Sequence, residues 1–363
     1  MSLKKYKIAI IGLGRMGSTI DEEHPSLSPY SIASVSKNSE RLDLVAGSDL
    51  VADRRNAFKR KWGIDALYED FNEMIDQESP DMVAVCTRAT SLLKPQDRAP
   101  SRDFLEDSHS EIGTVVSQAG VPMLYLEKAI SNTISGADML LEACSNNRTV
   151  FNSGVLRRFC NWANETRKII DSGEIGDPQT VVHHGRGSLM HGHVHSIDTI
   201  SYLLGDPKIL KVRGELFPRD LRIKDNRVDA DPVADFQIVF ENGVEACSVP
   251  GGPVETEIKG SKGSIRTINA LDTNQQLIQL RSNRNSLGEW KSLDMSSVQP
   301  TAPVTECLHN LIDAYESGKL SKANIESSHR VAEGLLAVAE SHRQGGAWIQ
   351  LPVANRDLYV FHV

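Results

Sequence analysis

No run of apolar residues in this chain approaches the ~18 that a bilayer-crossing helix requires, and none of its five cysteines lies in C-x-x-C spacing. The first absence excludes a helical membrane span. Cys86, Cys144, Cys160, Cys247 and Cys307 are scattered and odd in number, which argues against a disulfide framework and a thiolate zinc site and leaves them as buried free thiols. Basic residues are not in surplus either: 40 Lys and Arg against 48 Asp and Glu give a net charge of −8, the wrong sign for a nucleic-acid backbone. Internal repeats and low-complexity tracts are also missing, so neither a solenoid nor a disordered scaffold is expected. These exclusions leave a globular protein with a small-molecule partner and no nucleic-acid or membrane partner. The first apolar stretch, "IAIIG", runs into glycines instead of a cleavage site, so it reads as a buried strand in a cytoplasmic protein.

At 363 residues the chain exceeds one ordinary core, and two domains of ~100–200 residues are expected. Residues 1–153 alternate β-branched runs ("KIAIIG", "LDLVAGS", "DMVAVCT", "VPMLYLE", "TVFNSGV") with helical patterns. That alternation is the signature of a parallel sheet covered on both faces, an α/β Rossmann domain. From residue 154 to 363 several strands follow one another without helices between them: "PQTVVHHGRG", "ADFQIVFENG", "VEACSVPG", "VETEIKGSKGSIRTI" and "QQLIQLRSN". With "ENG" and "SKG" as hairpin turns, this half reads as an α+β domain with a large, mostly antiparallel open sheet.

"GLGRMG" places Gly12, Gly14 and Gly17 in G-x-G-x-x-G spacing between a strand and a helix start. Here the first glycine allows a tight turn, the second lets backbone approach a pyrophosphate, and the third lets helix pack on strand. Arg15 and Met16 complete the loop. Asp49 closes the second strand, where a carboxylate accepts hydrogen bonds from a ribose diol and repels a ribose phosphate. NAD is therefore expected ahead of NADP, although Arg54 and Arg55 lie close enough in sequence to meet a phosphate. A proline-bearing insertion, "DEEHPSLSPYSIASVSKNSER", accounts for the long interval between Gly17 and Asp49.

"HGHVHSID" sets His191, His193 and His195 at alternate positions before Asp198. As zinc ligands they lack a carboxylate or thiolate partner at metal spacing, so no metal is expected. As an acid–base site, His195 suits proton removal, and His191, four residues earlier, would share its face on a helix.

With "GLGRMG" and "YLEKAIS" (125–131), this stretch resembles the Gfo/Idh/MocA family of nicotinamide-dependent oxidoreductases. "FKRKWGI", "RRF", "IIDSGEIGDP", "HSIDTISYLLGD", "FENG", "IKGSKGSI" and "HRQGGAWIQLP" follow in family order over nearly the whole chain. The family's E-K-P looks like Glu127-Lys128-Ala129, keeping the lysine and losing the proline. Its D-x-G-x-H-x-x-D looks like residues 191–198, keeping His195 and Asp198 while His191 and His193 replace the first Asp and the Gly. The resemblance implies Lys128 and His195 beside the nicotinamide, Glu127, Thr87 and His109 on the cofactor side, and Arg158 of "RRF" as a further pocket candidate. It implies hydride transfer between NAD and a secondary hydroxyl or keto group of a sugar, polyol, cyclitol or sugar acid, in a homodimer or homotetramer. Two alternatives follow from the same likeness: a catalytically silent nucleotide-binding regulator, or an NAD-dependent glycoside-cleaving enzyme. The insertion after Thr87 carries Lys94, Arg98 and Arg102, which reads as a solvated lid or an oligomer contact, or as cations closing over an anionic substrate.

Overall fold

The computed structural model describes residues 4–88, 107–252, 254–268, 277–282, 288–296 and 301–362. The insertion bearing Lys94, Arg98 and Arg102 lies outside the described residues. The chain divides into two compact units, one of residues 1–154 with 302–326, the other of residues 155–301 with 327–362.

In the first unit six parallel strands, β1 (Tyr6–Ile11), β2 (Leu42–Ser48), β3 (Leu67–Tyr68), β4 (Met82–Val85), β5 (Met123–Leu126) and β6 (Val150–Ser153), line up in the order β3-β2-β1-β4-β5-β6. The Rossmann expectation holds. Strands β4 and β5 are buried along their whole length, as required of strands covered by helices on both faces. The order reverses between β1 and β4, and ligands of such sheets bind beyond the strand ends at that reversal. Residues 302–326 join this unit through buried Asn152 at the end of β6. Its amide Nδ2 donates to Cys307 O at 3.0 Å, and its Oδ1 accepts Ala323 N–H at 3.0 Å.

Helix formation after the glycines is brief. A π-helical turn, Arg15–Thr19, leads into Ile20–Glu23 and stops before Pro25, whose ring cannot continue it. The insertion then folds back because the Asp21 carboxylate accepts Tyr30 N–H at 2.8 Å and Ser31 N–H at 3.0 Å. Ser31 in turn caps the helix Ile32–Asn38 by accepting Ser34 N–H.

The second unit holds a ten-stranded sheet. Its path is β16 (Lys291–Ser292), β15 (Leu277–Ser282), β14 (Gly263–Ile268), β13 (Glu255–Gly260), β7 (Pro178–His184), β12 (Glu245–Val249), β11 (Val233–Phe240), β9 (Ile209–Phe217) and β17 (Ile349–Gln350), with β8 (Gly187–Ser188) on β11. β7 and β12 are parallel; the other pairs of this sheet are antiparallel. Burial alternates along β11 and β13, the mark of a sheet with one covered face. A separate parallel pair joins β10 (Arg227–Val228) to β18 (Tyr359–Val360). The five cysteines are free, and Cys247 is half-exposed where burial was expected. It sits mid-strand on β12 between buried Ala246 and Ser248, so the pleat turns it to the open face. Among the described residues no helix is long and apolar enough to cross a membrane.

His183, on the covered face of β7, is buried. Burial first, and then the neighbouring Arg157 guanidinium, hold its imidazole down to about 3. The unfolded chain takes up this proton near pH 6.5, so His183 contributes stability above that pH and loses it as the pH falls toward 3. Urea unfolding at stepped pH should show wild-type stability falling below pH 6.5, with this residue adding at most ~1.4 kcal/mol per pH unit. His183→Gln should fall less steeply; equal slopes would rule out the contribution.

Candidate active site

The glycine loop turns where the strand order reverses. Gly12 has φ +90°, and a Cβ there would lie 2.7 Å from the backbone of Cys86 and Thr87 at the end of β4. At Gly17 a Cβ would lie 2.1 Å from Gly12 O. Both positions admit only glycine, for the protein's own packing. Gly14 is different: the nearest atom to a Cβ is Arg54 Nη1 at 4.0 Å. Among the described residues no atom crowds a side chain at that position, which leaves the backbone at Gly14 open. Met16 is half-buried, while exposed Arg15 pairs with Glu23 through Nε at 2.8 Å.

Asp49 is buried behind this loop. Its Oδ2 accepts Leu13 N–H at 2.9 Å and its Oδ1 accepts Val51 N–H at 2.9 Å, with Arg54 at 3.6 Å. Two backbone donors fix the carboxylate beside the glycine turn, and each oxygen keeps a further lone pair for a hydroxyl. Arg55 instead donates to Asp49 O at 2.6 Å. The donor set suits a dinucleotide: an open backbone at Gly14, and an oriented carboxylate for a diol.

Lys128 follows β5 and is half-buried; the peptide bond to Ala129 is cis. The loop carrying it is braced by the helix Ser108–Gln118. His109, almost fully buried, places Nδ1 2.7 Å from Ala129 O and Nε2 2.9 Å from Thr87 O. Asp107 caps that helix and also accepts Asn132 N–H at 2.8 Å and the Ser131 hydroxyl. Glu127 is buried, and its Oε1 accepts the Tyr125 hydroxyl at 2.5 Å. A Cβ on Gly154 would lie 2.9 Å from that hydroxyl and 3.0 Å from Glu127 Oε2, so this glycine leaves room for the pair. Sequence reading missed Tyr125, whose only signal is a phenol within an otherwise aliphatic strand.

In the second unit the helix His193–Leu204 starts one residue after Gly192 and ends at Gly205 in the left-handed region, φ +96°. His191 therefore precedes the helix, and the two imidazoles do not share a helical face. The cause is local. A Cβ on Gly192 would lie 2.8 Å from Ser188 O, so the chain is pressed against β8 there. Asp231 also draws Met190 N–H and His191 N–H to its two oxygens at 2.7 and 2.8 Å. His191 is exposed, with the His362 ring 5.7 Å away, and His195 is half-buried in the helix's first turn. His193 is buried, Nε2 lying 2.8 Å from Ala234 O and Nδ1 3.3 Å from Ser196 Oγ. With both nitrogens engaged inside the unit, the alternating histidines do not converge as three ligands. Among the described residues no three His, Cys, Asp or Glu side chains group as a metal site.

Asp198, the last residue of the motif, pairs with Arg158. Arg158 Nε lies 2.8 and 3.0 Å from the two Asp198 oxygens, and its Nη1 and Nη2 reach Asp206 at 2.9 and 2.8 Å. The guanidinium is fully buried against the Tyr202 ring at 5.3 Å. Burial opposes its charge, but Asp198 and Asp206 outweigh burial and raise its pKa. Its donors thus point to these two carboxylates within the unit.

Two family models match the chain: the NAD-binding Rossmann fold of an oxidoreductase family over residues 6–154, and that family's C-terminal alpha/beta domain over residues 179–351. Myo-inositol 2-dehydrogenase of Thermotoga maritima is 23% identical over 303 residues, covering 77% of this chain and 80% of that protein. The scyllo-inositol 2-dehydrogenase (NAD(+)) of Bacillus subtilis is 22% identical over 281 residues, covering 72% and 73%. Among solved structures, the aldose-aldose oxidoreductase of Caulobacter crescentus, complexed with glycerol, superposes with a TM-score of 0.75 at 20% identity, covering 96% of this chain and 100% of that one. An inositol dehydrogenase homolog of Azotobacter vinelandii, complexed with NADH and myo-inositol, gives 0.73 at 16% identity, covering 96% and 98%. The structural likenesses show the fold.

Two substitutions separate packing from ligand binding in the glycine loop. Gly17→Ala should lower the melting temperature sharply, because its methyl overlaps Gly12 O. Gly14→Ala should keep the wild-type melting temperature and weaken NADH binding roughly tenfold or more in a fluorescence titration. Unchanged NADH affinity in Gly14→Ala would show that the loop does not carry the pyrophosphate. Asp198→Ala strands a buried guanidinium with one partner and should cost ~3–5 kcal/mol in urea unfolding; a loss below ~1 kcal/mol would show the triad to be dispensable. The glycine turn, Asp49 behind it, the 3-2-1-4-5-6 parallel sheet and the match of both family models place this chain in the Gfo/Idh/MocA family of NAD-binding oxidoreductases.

Proposed function

We propose that this protein oxidises or reduces a secondary alcohol or ketone of a polyol, cyclitol or sugar, with NAD as the partner in hydride exchange. The observation that carries the reading is the open backbone at Gly14 beside a carboxylate held by two backbone N–H groups, in a chain whose curated relatives are named for inositol oxidation. The bound nicotinamide supplies the hydride acceptor. Everything else falls to the protein's side chains. Asp49 takes the adenosine ribose hydroxyls, and Glu127, fixed by Tyr125, faces the cofactor from the end of β5.

His195 is the general base, taking the hydroxyl proton on an imidazole nitrogen as the carbonyl forms. Lys128 donates a hydrogen bond from Nζ to the reacting oxygen, and its charge stabilises the developing alkoxide. His191 orients the substrate in the position where the family carries an aspartate. We assign His109 to bracing the Lys128 loop and Arg158 to holding the helix of His195, since both have their polar atoms committed to groups in their own unit. Thr87, whose carbonyl meets His109, lines the cofactor side. Cytoplasmic location and assembly as a homodimer or homotetramer complete the reading. The open face of the ten-stranded sheet is the surface for assembly, carrying charges of both signs such as Arg266 with Glu255 and Lys259 with Glu257.

The first test is a titration of nucleotide-free protein with NADH and, separately, NADPH, followed by NAD⁺ reduction assays with myo-inositol, scyllo-inositol and glucose. NADH should bind more tightly than NADPH, and at least one of these alcohols should turn over. His195→Ala and Lys128→Ala should each lower kcat roughly tenfold or more while NADH affinity stays near wild type. Wild-type turnover in either variant removes that residue from the mechanism; failure of both nucleotides to bind removes the oxidoreductase reading.

A further inference from the structure

His193 stands where the family motif carries glycine, and its surroundings give the imidazole a definite role. Four hydrogen bonds run through buried side chains of the second unit. Thr256 Oγ1 on β13 lies 3.0 Å from His183 Nδ1 on β7; His183 Nε2 lies 2.9 Å from Ser196 Oγ; Ser196 Oγ lies 3.3 Å from His193 Nδ1; and His193 Nε2 lies 2.8 Å from Ala234 O on β11. Thr256, His183, Ser196 and His193 are all nearly inaccessible to solvent.

The direction of this chain is set at one end. Ala234 O can only accept, so His193 Nε2 donates, and in a neutral ring Nδ1 must then accept. Ser196 supplies that proton from its hydroxyl, which leaves Oγ to accept from His183 Nε2–H. His183 Nδ1 is then an acceptor, satisfied by the Thr256 hydroxyl. Each donor has one acceptor and no step conflicts. The register independently places Thr256 opposite His183, and the Phe236 ring packs edge-on to His193 at 5.1 Å.

We infer that this one-way chain, Thr256 to His183 to Ser196 to His193 to Ala234 O, is a positioning device that locks the first turn of the helix His193–Leu204 onto the sheet and thereby aims His195. Ser196 and His193 flank His195 in sequence, and both are tied to strands: His193 to β11, Ser196 through His183 to β7 and β13. The two residues fix the helix's first turn in rotation and in distance from the sheet. His195, in the same turn, inherits the orientation. A catalytic group misplaced by about 1 Å loses on the order of a hundredfold in rate, so a device of this kind has a kinetic consequence. The catalytic part of the inference rests on His195 being the acid–base residue.

The test uses full-length protein with ¹⁵N-labelled histidine, read at neutral pH by long-range ¹H–¹⁵N spectra, in the wild type, Ser196→Ala and Ser196→Thr. Wild type should show His183 and His193 both as neutral Nε2–H tautomers. Ser196→Ala should shift or broaden the His195 ring signals, and Ser196→Thr, which restores the hydroxyl, should return them. In an NAD⁺ and myo-inositol assay, Ser196→Ala should lower kcat roughly tenfold with KM and NADH affinity within about twofold, rescued by Ser196→Thr. An Nδ1–H tautomer at either buried histidine, or His195 signals unchanged in Ser196→Ala, overturns the inference. So does a kcat loss that threonine fails to rescue. A wild-type protein inert toward myo-inositol, scyllo-inositol and glucose, with His195 signals still responding to Ser196→Ala, would overturn the proposed function and with it the catalytic part of the inference while upholding the positioning.

Discussion

A guanidinium removed from water must be met on most of its donors, and in the second unit Arg158 is met by Asp198 and Asp206 together. One carboxylate would leave part of the fork unsatisfied; two cover Nε, Nη1 and Nη2 in plane. Such a triad is poor evidence for stability, since apolar replacements of the whole set do as well, but removing one member leaves a buried charge exposed to its desolvation cost. That asymmetry makes the arrangement specific. Asp198 and Asp206 sit on and just beyond the helix His193–Leu204, and Arg158 stands on the turn Leu156–Phe159. The charge therefore fixes the helix at its middle and its end against the segment that opens the unit. It also joins two sequence landmarks: "RRF" and "HSIDTISYLLGD" carry the two halves of one ion cluster. Asp198 belongs to the motif as an anchor.

The nucleotide end of the first unit divides its glycines by cause. Gly12 and Gly17 are demanded by contacts within the fold, Cys86 and Thr87 backbone for the one and Gly12 O for the other. At Gly14 no described residue comes nearer to a Cβ than Arg54 Nη1 at 4.0 Å. A sequence pattern treats the three alike; the structure shows the first and third crowded by the fold and the second open. Asp49 is similarly double in purpose. Its two backbone hydrogen bonds tie the glycine turn to the start of the segment after β2, and a carboxylate so fixed carries no entropy cost when a ribose diol arrives.

Legibility followed the range of the interaction. The parallel strands of the first unit were readable because a strand buried on both faces is apolar throughout, and "KIAIIG", "LDLVAGS", "DMVAVCT", "VPMLYLE" and "TVFNSGV" all match strands to within a few residues. Two-residue β3 carries no pattern of its own. β9 was absent from the reading although its burial alternates over much of its length; the inward position 214 is glycine, which interrupts the apolar half of the alternation. Residues 302–326 look like any amphipathic helix, and what ties them to the first unit is pairing with residues far away in sequence, such as Asn152 with Cys307 O and Ala323 N–H and Arg41 with Asp313 and Glu316. The roles of His109, Asp107 and Asp231 were equally hidden. Each acts through a backbone group 20 to 41 positions away, and local periodicity contains no information about such partners.

The alternation in "HGHVHSID" is thus three different residues in three environments. His191 lies outside the helix, where Asp231 clamps its backbone and leaves its ring exposed. His193 is interior and has become a strut between β11 and Ser196. His195 lies in the first turn, half-buried. Replacing the family's glycine by His193 adds an imidazole that the fold must satisfy at both nitrogens, a demand met by Ala234 O and by a serine that is itself satisfied by His183. Replacing the family's aspartate by His191 exchanges a carboxylate for an imidazole, and Asp231 holds the backbone of Met190 and His191 through its two oxygens. His195 thus stands on a helix whose first turn is held by the buried histidine chain and whose middle and end are held by Arg158 with Asp198 and Asp206.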